Sequence, residues 1–95
     1  MSHQLYNASE RGDEVTVRRL VSEGGDVNAR GGPFNATALI MALARGSREV
    51  AVARVLLEGG ADINAHSDDG RTALIVAADW GMAEMLRELL GRGTM

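Results

Sequence analysis

Residues 37–64 read TALIMALARGSREVAVARVLLEGGADIN, and recognisable copies of this stretch lie on both sides of it. Downstream, residues 72–93 read TALIVAADWGMAEMLRELLGRG; upstream, residues 5–28 read LYNASERGDEVTVRRLVSEGGDVN. Each copy follows one plan: a small-residue helical segment, a Gly, a second helical segment ending in paired aliphatics, then a glycine turn. The first two copies continue into Asp-x-Asn. Tandem copies of this kind have to be read as a repeat before anything else is read from them.

The register can be measured. Thr37 and Thr72 are 35 residues apart, Asp26 and Asp62 are 36 apart, and Leu5 and Leu39 are 34 apart. These spacings fit a basic period of about 33 residues, with two residues inserted between the helices of the middle copy and one in the first connecting loop. Insertions of that kind belong in loops along one edge of a stack.

Within the central stretch, Thr37 reads as a helix N-cap, and Leu39, Ala42 and Leu43 recur at helical spacing as a buried stripe. Gly46-Ser47 then turns the chain, Ser47 offers a second cap, and Glu49 sits in a first turn where it complements the helix dipole. The helix predicted over residues 48–57 holds Val50, Val52, Ala53, Val55, Leu56 and Leu57. It is apolar on more than one side, as a repeat held between two others requires.

The flanking copies follow the same logic. A first helix over residues 2–11, capped by Ser2, turns Leu5, Ala8 and Tyr6 toward the next helix. Gly12-Asp13 breaks it, and a second helix over residues 14–22 carries Val17, Leu20 and Val21 inward, with Glu14, Arg18, Arg19 and Ser22 on a polar outer face. In the last copy Thr72 caps a helix with Leu74, Ala77 and Ala78 inward. A helix over residues 82–90 is expected to bury Met85, Leu86, Leu89 and Leu90 and to leave Glu84, Arg87 and Glu88 in water. Gly24-Gly25 and Gly59-Gly60 supply the backbone freedom that ends a helix.

Two fingers connect the copies: residues 26–37, with turn chemistry from Arg30 to Asn35, and residues 62–70, with Asp69-Gly70 as the turn signal. The first is the more glycine-rich and is expected to be the more mobile. Asp26, Asn28, Asp62 and Asn64 recur with the repeat, which assigns them to side-chain bonds that hold the turns.

On these residues the sequence resembles the ankyrin-repeat family. The family pattern is matched by Asp69-Gly70-Arg71-Thr72-Ala73-Leu74, by Ala77-Ala78-Asp79-Trp80-Gly81, by Val55-Leu56-Leu57 and by Gly60-Ala61-Asp62-Ile63-Asn64-Ala65. It departs at the family's Pro-Leu-His element, replaced by Ala38-Leu39-Ile40 and Ala73-Leu74-Ile75, and the sequence given ends before another Gly-Ala-Asp-Val-Asn element forms. The resemblance implies one domain over residues 1–95: an all-α solenoid of three stacked helix-turn-helix repeats, approximately 2–30, 31–66 and 67–93, joined by β-hairpin-like fingers. The first and last repeats are atypical.

Composition narrows the function. With 95 residues the chain is at the roughly three-repeat minimum of a solenoid, and its aromatics are limited to Tyr6, Phe34 and Trp80, so the core has to be aliphatic. No cysteine is present, which excludes disulfides and thiolate chemistry and fits an intracellular, cytoplasmic setting. A net charge of −3 gives no basic footprint for nucleic acid. No segment reads as a membrane span or a secretion signal.

Catalysis has little to draw on. His3 and His66 have no phased partner for a metal or a nucleophile, Asp68-Asp69 lacks the calcium-loop pattern, and no glycine step continues into a phosphate loop. The expectation is a non-enzymatic module with no cofactor and no metal. What remains is a surface.

The resemblance implies a concave face of finger tips and first-helix ends, which here comprises Glu10, Arg11, Arg30, Phe34, Asn35 and Arg45, then His66, Asp68, Asp69, Arg71, Asp79 and Trp80. Aromatics and Arg dominate interface hot spots, which singles out Trp80, Phe34 and Arg45 as anchors for a protein partner. Two alternatives stand beside this. Ile75, Met82 and Met85 form an outward apolar patch for self-association through the last repeat; or the aromatic and Arg finger binds a small nucleotide or oligonucleotide, as some members of the resembled family do.

Overall fold

The computed structural model describes residues 2–45 and 50–92, apart from the side chains of Ser2 and His3. The caps expected at Ser2 and Ser47, the turn at Gly46-Ser47 and the dipole role of Glu49 fall outside the described residues. Three helical hairpins follow one another: α1 (Ser2–Arg11) with α2 (Glu14–Ser22), α3 (Ala38–Ala44) with α4 (Val50–Glu58), and α5 (Ala73–Asp79) with α6 (Ala83–Gly91). The all-α solenoid holds.

Local chemistry sets the boundaries. Thr37 and Thr72 stand in extended backbone at the starts of α3 and α5, and their hydroxyls accept from the N–H groups of Ile40 and Ile75 at 3.1 and 3.2 Å. Asp13 does the same for α2, accepting from the Thr16 N–H and hydroxyl. Those two bonds hold the Asp13 carboxyl below the usual carboxylate range. Gly12, Gly24, Gly60 and Gly81 carry positive φ at the helix ends, a conformation that L side chains rarely adopt.

The helices stack in two rows. α1, α3 and α5 lie side by side, α2 packs against α4, and each hairpin closes on itself. Between the rows runs one aliphatic core: Leu5, Val17, Leu39, Leu43, Val52, Leu56, Met85 and Leu89 are fully buried, with Ala8, Ala42, Ala53 and Ala77 where backbones approach closely. Burying a side chain of Leu or Val size contributes about 1.5–3 kcal/mol. No hairpin could bury its stripe alone.

Both fingers form as turns, and the first is a two-stranded ribbon. β1 (Arg30–Gly31) pairs antiparallel with β2 (Ala36–Thr37), Arg30 opposite Thr37, while the second finger has a single bridge between His66 and Thr72. The recurring Asp residues act as expected: Asp26 accepts from the Asn28 N–H at 2.9 Å and Asp62 from the Asn64 N–H at 3.0 Å. Asn28 reaches farther, its side-chain oxygen accepting from the Asp62 N–H at 2.6 Å, so one finger base is tied to the next.

Glycine in the first finger has a packing role. A Cβ on Gly31 would fall 2.8 Å from the Tyr6 ring, so the absent side chain is what lets Tyr6 lie flat beneath the finger. The finger is braced by that ring and by its ladder, contacts that oppose the expected mobility. Burial of Tyr6, and secondarily the nearby Glu10 carboxylate, push its phenol above the ordinary value.

Several sequence assignments are corrected at the last repeat. Ala78 faces solvent while Ala73 and Val76 are buried, and Leu90 is exposed rather than packed. Glu88 is not free in water: it is half-buried and pairs with Arg54 at 3.0 Å. Met82 and Met85, read as an outward patch with Ile75, are both buried, and only Ile75 stays on the surface. The positive φ of Gly81 redirects the chain just before Met82, and helical phase turns Met85 to the core.

Candidate functional site

The concave side of the stack holds an open groove of about 430 Å³ between the fingers and the first helices. Its floor is apolar, made by Ala36, Ile40, Met41, Ala44 and Val76. Phe34 on the first finger and Trp80 at the end of α5 form its walls, each more than half exposed. They are 46 residues apart in sequence. Stacking α5 on α3 is what brings them to one cleft.

Polar groups mark one side. Arg71 pairs with Asp79, and Asp69 accepts a short bond from the Ser67 hydroxyl, so the two carboxylates and the guanidinium are held in place before any ligand arrives. Ser67 also accepts from the Arg71 N–H at 3.2 Å, which fixes the second finger around its buried hydroxyl.

The fingers are joined to each other. Arg30 donates to the Asn35 carbonyl at 3.0 Å within its own finger and to the His66 carbonyl at 2.7 Å on the next, while the Asp68 N–H donates to the Phe34 carbonyl at 2.7 Å. Asn35 itself stands at φ 53, closing the turn behind Phe34. These bonds fix the backbone that carries Phe34.

Of the twelve positions expected on the binding face, the structure brings Phe34, Asp69, Arg71, Asp79 and Trp80 to the groove. Arg30, Asn35, His66 and Asp68 stand on the fingers, where Arg30 has a structural task. Arg45 is exposed at the end of α3, in the place that Trp80 takes one repeat later. Glu10 and Arg11 lie at the end of α1, where Arg11 is 3.8 Å from Asp13. The sequence did not point to Ala36, Ile40, Met41, Ala44, Ser67 and Val76 as groove residues; most of them are small or apolar side chains that read as core, and only Met41 and Ala44 are partly open to solvent.

The groove offers an apolar slot with oriented charges along one side. Among the described residues, no three His, Asp or Glu side chains cluster to hold a metal, and no helix is long and apolar enough to cross a membrane.

Ankyrin repeats, in three copies, match residues 5–94. The chain belongs to the ankyrin-repeat family. It is similar to part of an E3 ubiquitin-protein ligase, KEG, of Arabidopsis thaliana, with 37% identity over 86 residues. It is also similar to part of the potassium channel AKT3 of Oryza sativa subsp. japonica, with 38% identity over 78 residues. The alignments cover 90% and 82% of this chain but only 5% and 8% of those proteins. Ankyrin repeats are in general protein-protein interaction modules and typically non-enzymatic.

Proposed function

We propose that this protein binds a partner protein through the groove, with Phe34 and Trp80 as its anchors. The observation that carries the reading is that two exposed aromatics, distant in sequence, wall a single apolar cleft whose polar rim is already ordered. The arrangement supports rigid presentation. Finger and helix positions are fixed by hydrogen bonds before the partner arrives, so few contact residues lose freedom on binding.

A nucleotide or oligonucleotide fits the same groove poorly. Phosphates need unpaired cations, whereas the groove's Arg71 is already engaged by Asp79 and Asp69 adds a further negative charge.

Trp80 is the single tryptophan, which gives a built-in probe. Crosslinking from a photoreactive residue at position 34, read by mass spectrometry, is expected to yield a partner whose addition shifts the Trp80 emission. Replacing Phe34 and Trp80 together with Ala should weaken that binding at least about tenfold, the scale of one hot spot, with the helical circular dichroism unchanged. Affinity that survives both substitutions overturns the assignment of this face.

A further inference from the structure

Besides Phe34 and Trp80, the exposed large apolar side chains among the described residues are Val15, Ile75 and Leu90. The last two occupy places that are covered one repeat earlier. Ile75 is 45% exposed where Ile40 is 4%, and Leu90 is 58% exposed where Leu57 is 4%. Ala78 is likewise exposed where Leu43 is buried. None of these three lines the groove.

A charge follows the same rule. Arg54 on the second repeat reaches Glu88 on the third at 3.0 Å, whereas Arg87, its counterpart one repeat later, has no partner among the described residues. The third repeat thus meets the second with a helical hairpin whose inner side supplies apolar groups, Val76 and Met85, and one carboxylate. The molecule displays on its second repeat what fits the outer side of its third.

We infer that Ile75, Ala78, Arg87 and Leu90 form a second docking surface, and that its occupant is a helical hairpin of another protein carrying an apolar stripe and a carboxylate opposite Arg87. An all-apolar occupant would strip water from the Arg87 guanidinium and leave it unpaired, which is costly. A second copy of this chain, added head to tail, does not meet the description. Arg19, a like charge to Arg87, stands at the place of Glu88 in the first repeat, and Gln4 and Asn7 stand where the third has Ala73 and Val76.

The test uses the third repeat itself as the probe hairpin. In a longer chain, residues 61–92 are repeated directly after Gly93, which continues the 33-residue register and offers Arg87 a new Glu. The added hairpin is expected to raise the urea midpoint and to slow amide exchange in α6 at least about tenfold, as burial lowers local opening. Arg87→Glu should change the midpoint little in the 95-residue chain and lower it clearly in the longer one, with recovery when the added Glu is changed to Arg. Two results overturn the proposal. One is an unchanged midpoint and α6 exchange, or an Arg87→Glu effect equal in both chains. The other is a 95-residue chain that dimerises with concentration and loses this on Leu90→Asp, which would assign the surface to a second copy.

Discussion

The second and third repeats have nearly the same design and differ in company. Among the described residues, the second lies between two neighbours and the third against one. Where the second places Leu57, Leu43 and Val55 in the core, the third has Leu90 and Ala78 in solvent and Glu88 half-buried against Arg54. In a solenoid, then, burial depends on the repeat next door as much as on the residue. The same side chain can be core in one copy and surface in the next.

The sharpest way to break that comparison is to truncate the matched leucines. Leu57→Ala empties a packed site, where such changes cost about 2–4 kcal/mol; Leu90→Ala alters a surface position and should stay within about 0.5 kcal/mol. Urea denaturation of the two variants checks this. Equal losses would mean that Leu90 is covered in solution, and the contrast between the repeats would fail.

The matched caps give a smaller contrast. Thr37 is buried, so removing its hydroxyl leaves the Ile40 N–H without a partner in a dry site, whereas half-exposed Thr72 lets water replace the lost bond to Ile75. Thr37→Ala is therefore expected to cost about 1–2 kcal/mol and Thr72→Ala about 0.5–1 kcal/mol. Thermal midpoints of the two variants should rank in that order. A reversed order would show that the third repeat is packed as tightly as the second.

The parts of the molecule legible in the sequence were those fixed by local chemistry or by the repeat period. Thr37 and Thr72 as caps, the Asp26 and Asp62 turns, the helix-ending glycines and the stripe of Leu39, Ala42 and Leu43 each follow from residues within a turn or two. The errors arose where the answer depended on distant chain. Leu90 fits a helical stripe, but nothing in its own helix says whether a neighbour will cover it. Met82 is buried because the chain turns inward after Gly81, and a glycine in the sequence marks a break without giving its direction. Arg30 bridging to the His66 carbonyl, and Phe34 and Trp80 lining one groove, come from the stacking of one finger and one hairpin on the next. That fingers and first helices share one side of the stack was legible; which side chains line its groove was not.

Glu88 gives the finest version of the comparison. Read from the sequence, Glu88 stays in water; in the structure it faces back to Arg54, which makes it part of the joint between the second and third repeats. The two readings differ in a double-mutant cycle. If Glu88 serves the joint, the combined Arg54→Ala and Glu88→Ala variant loses less stability than the sum of the single ones, with a coupling of about 0.2–1 kcal/mol, the range for partly exposed pairs. The pair is open to solvent, so the coupling should shrink in 1 M salt, where the screening length falls to about 3 Å from about 10 Å at 0.1 M. A coupling of zero at low salt would return Glu88 to the role of a surface polar group and would remove Arg54 as the template for Arg87.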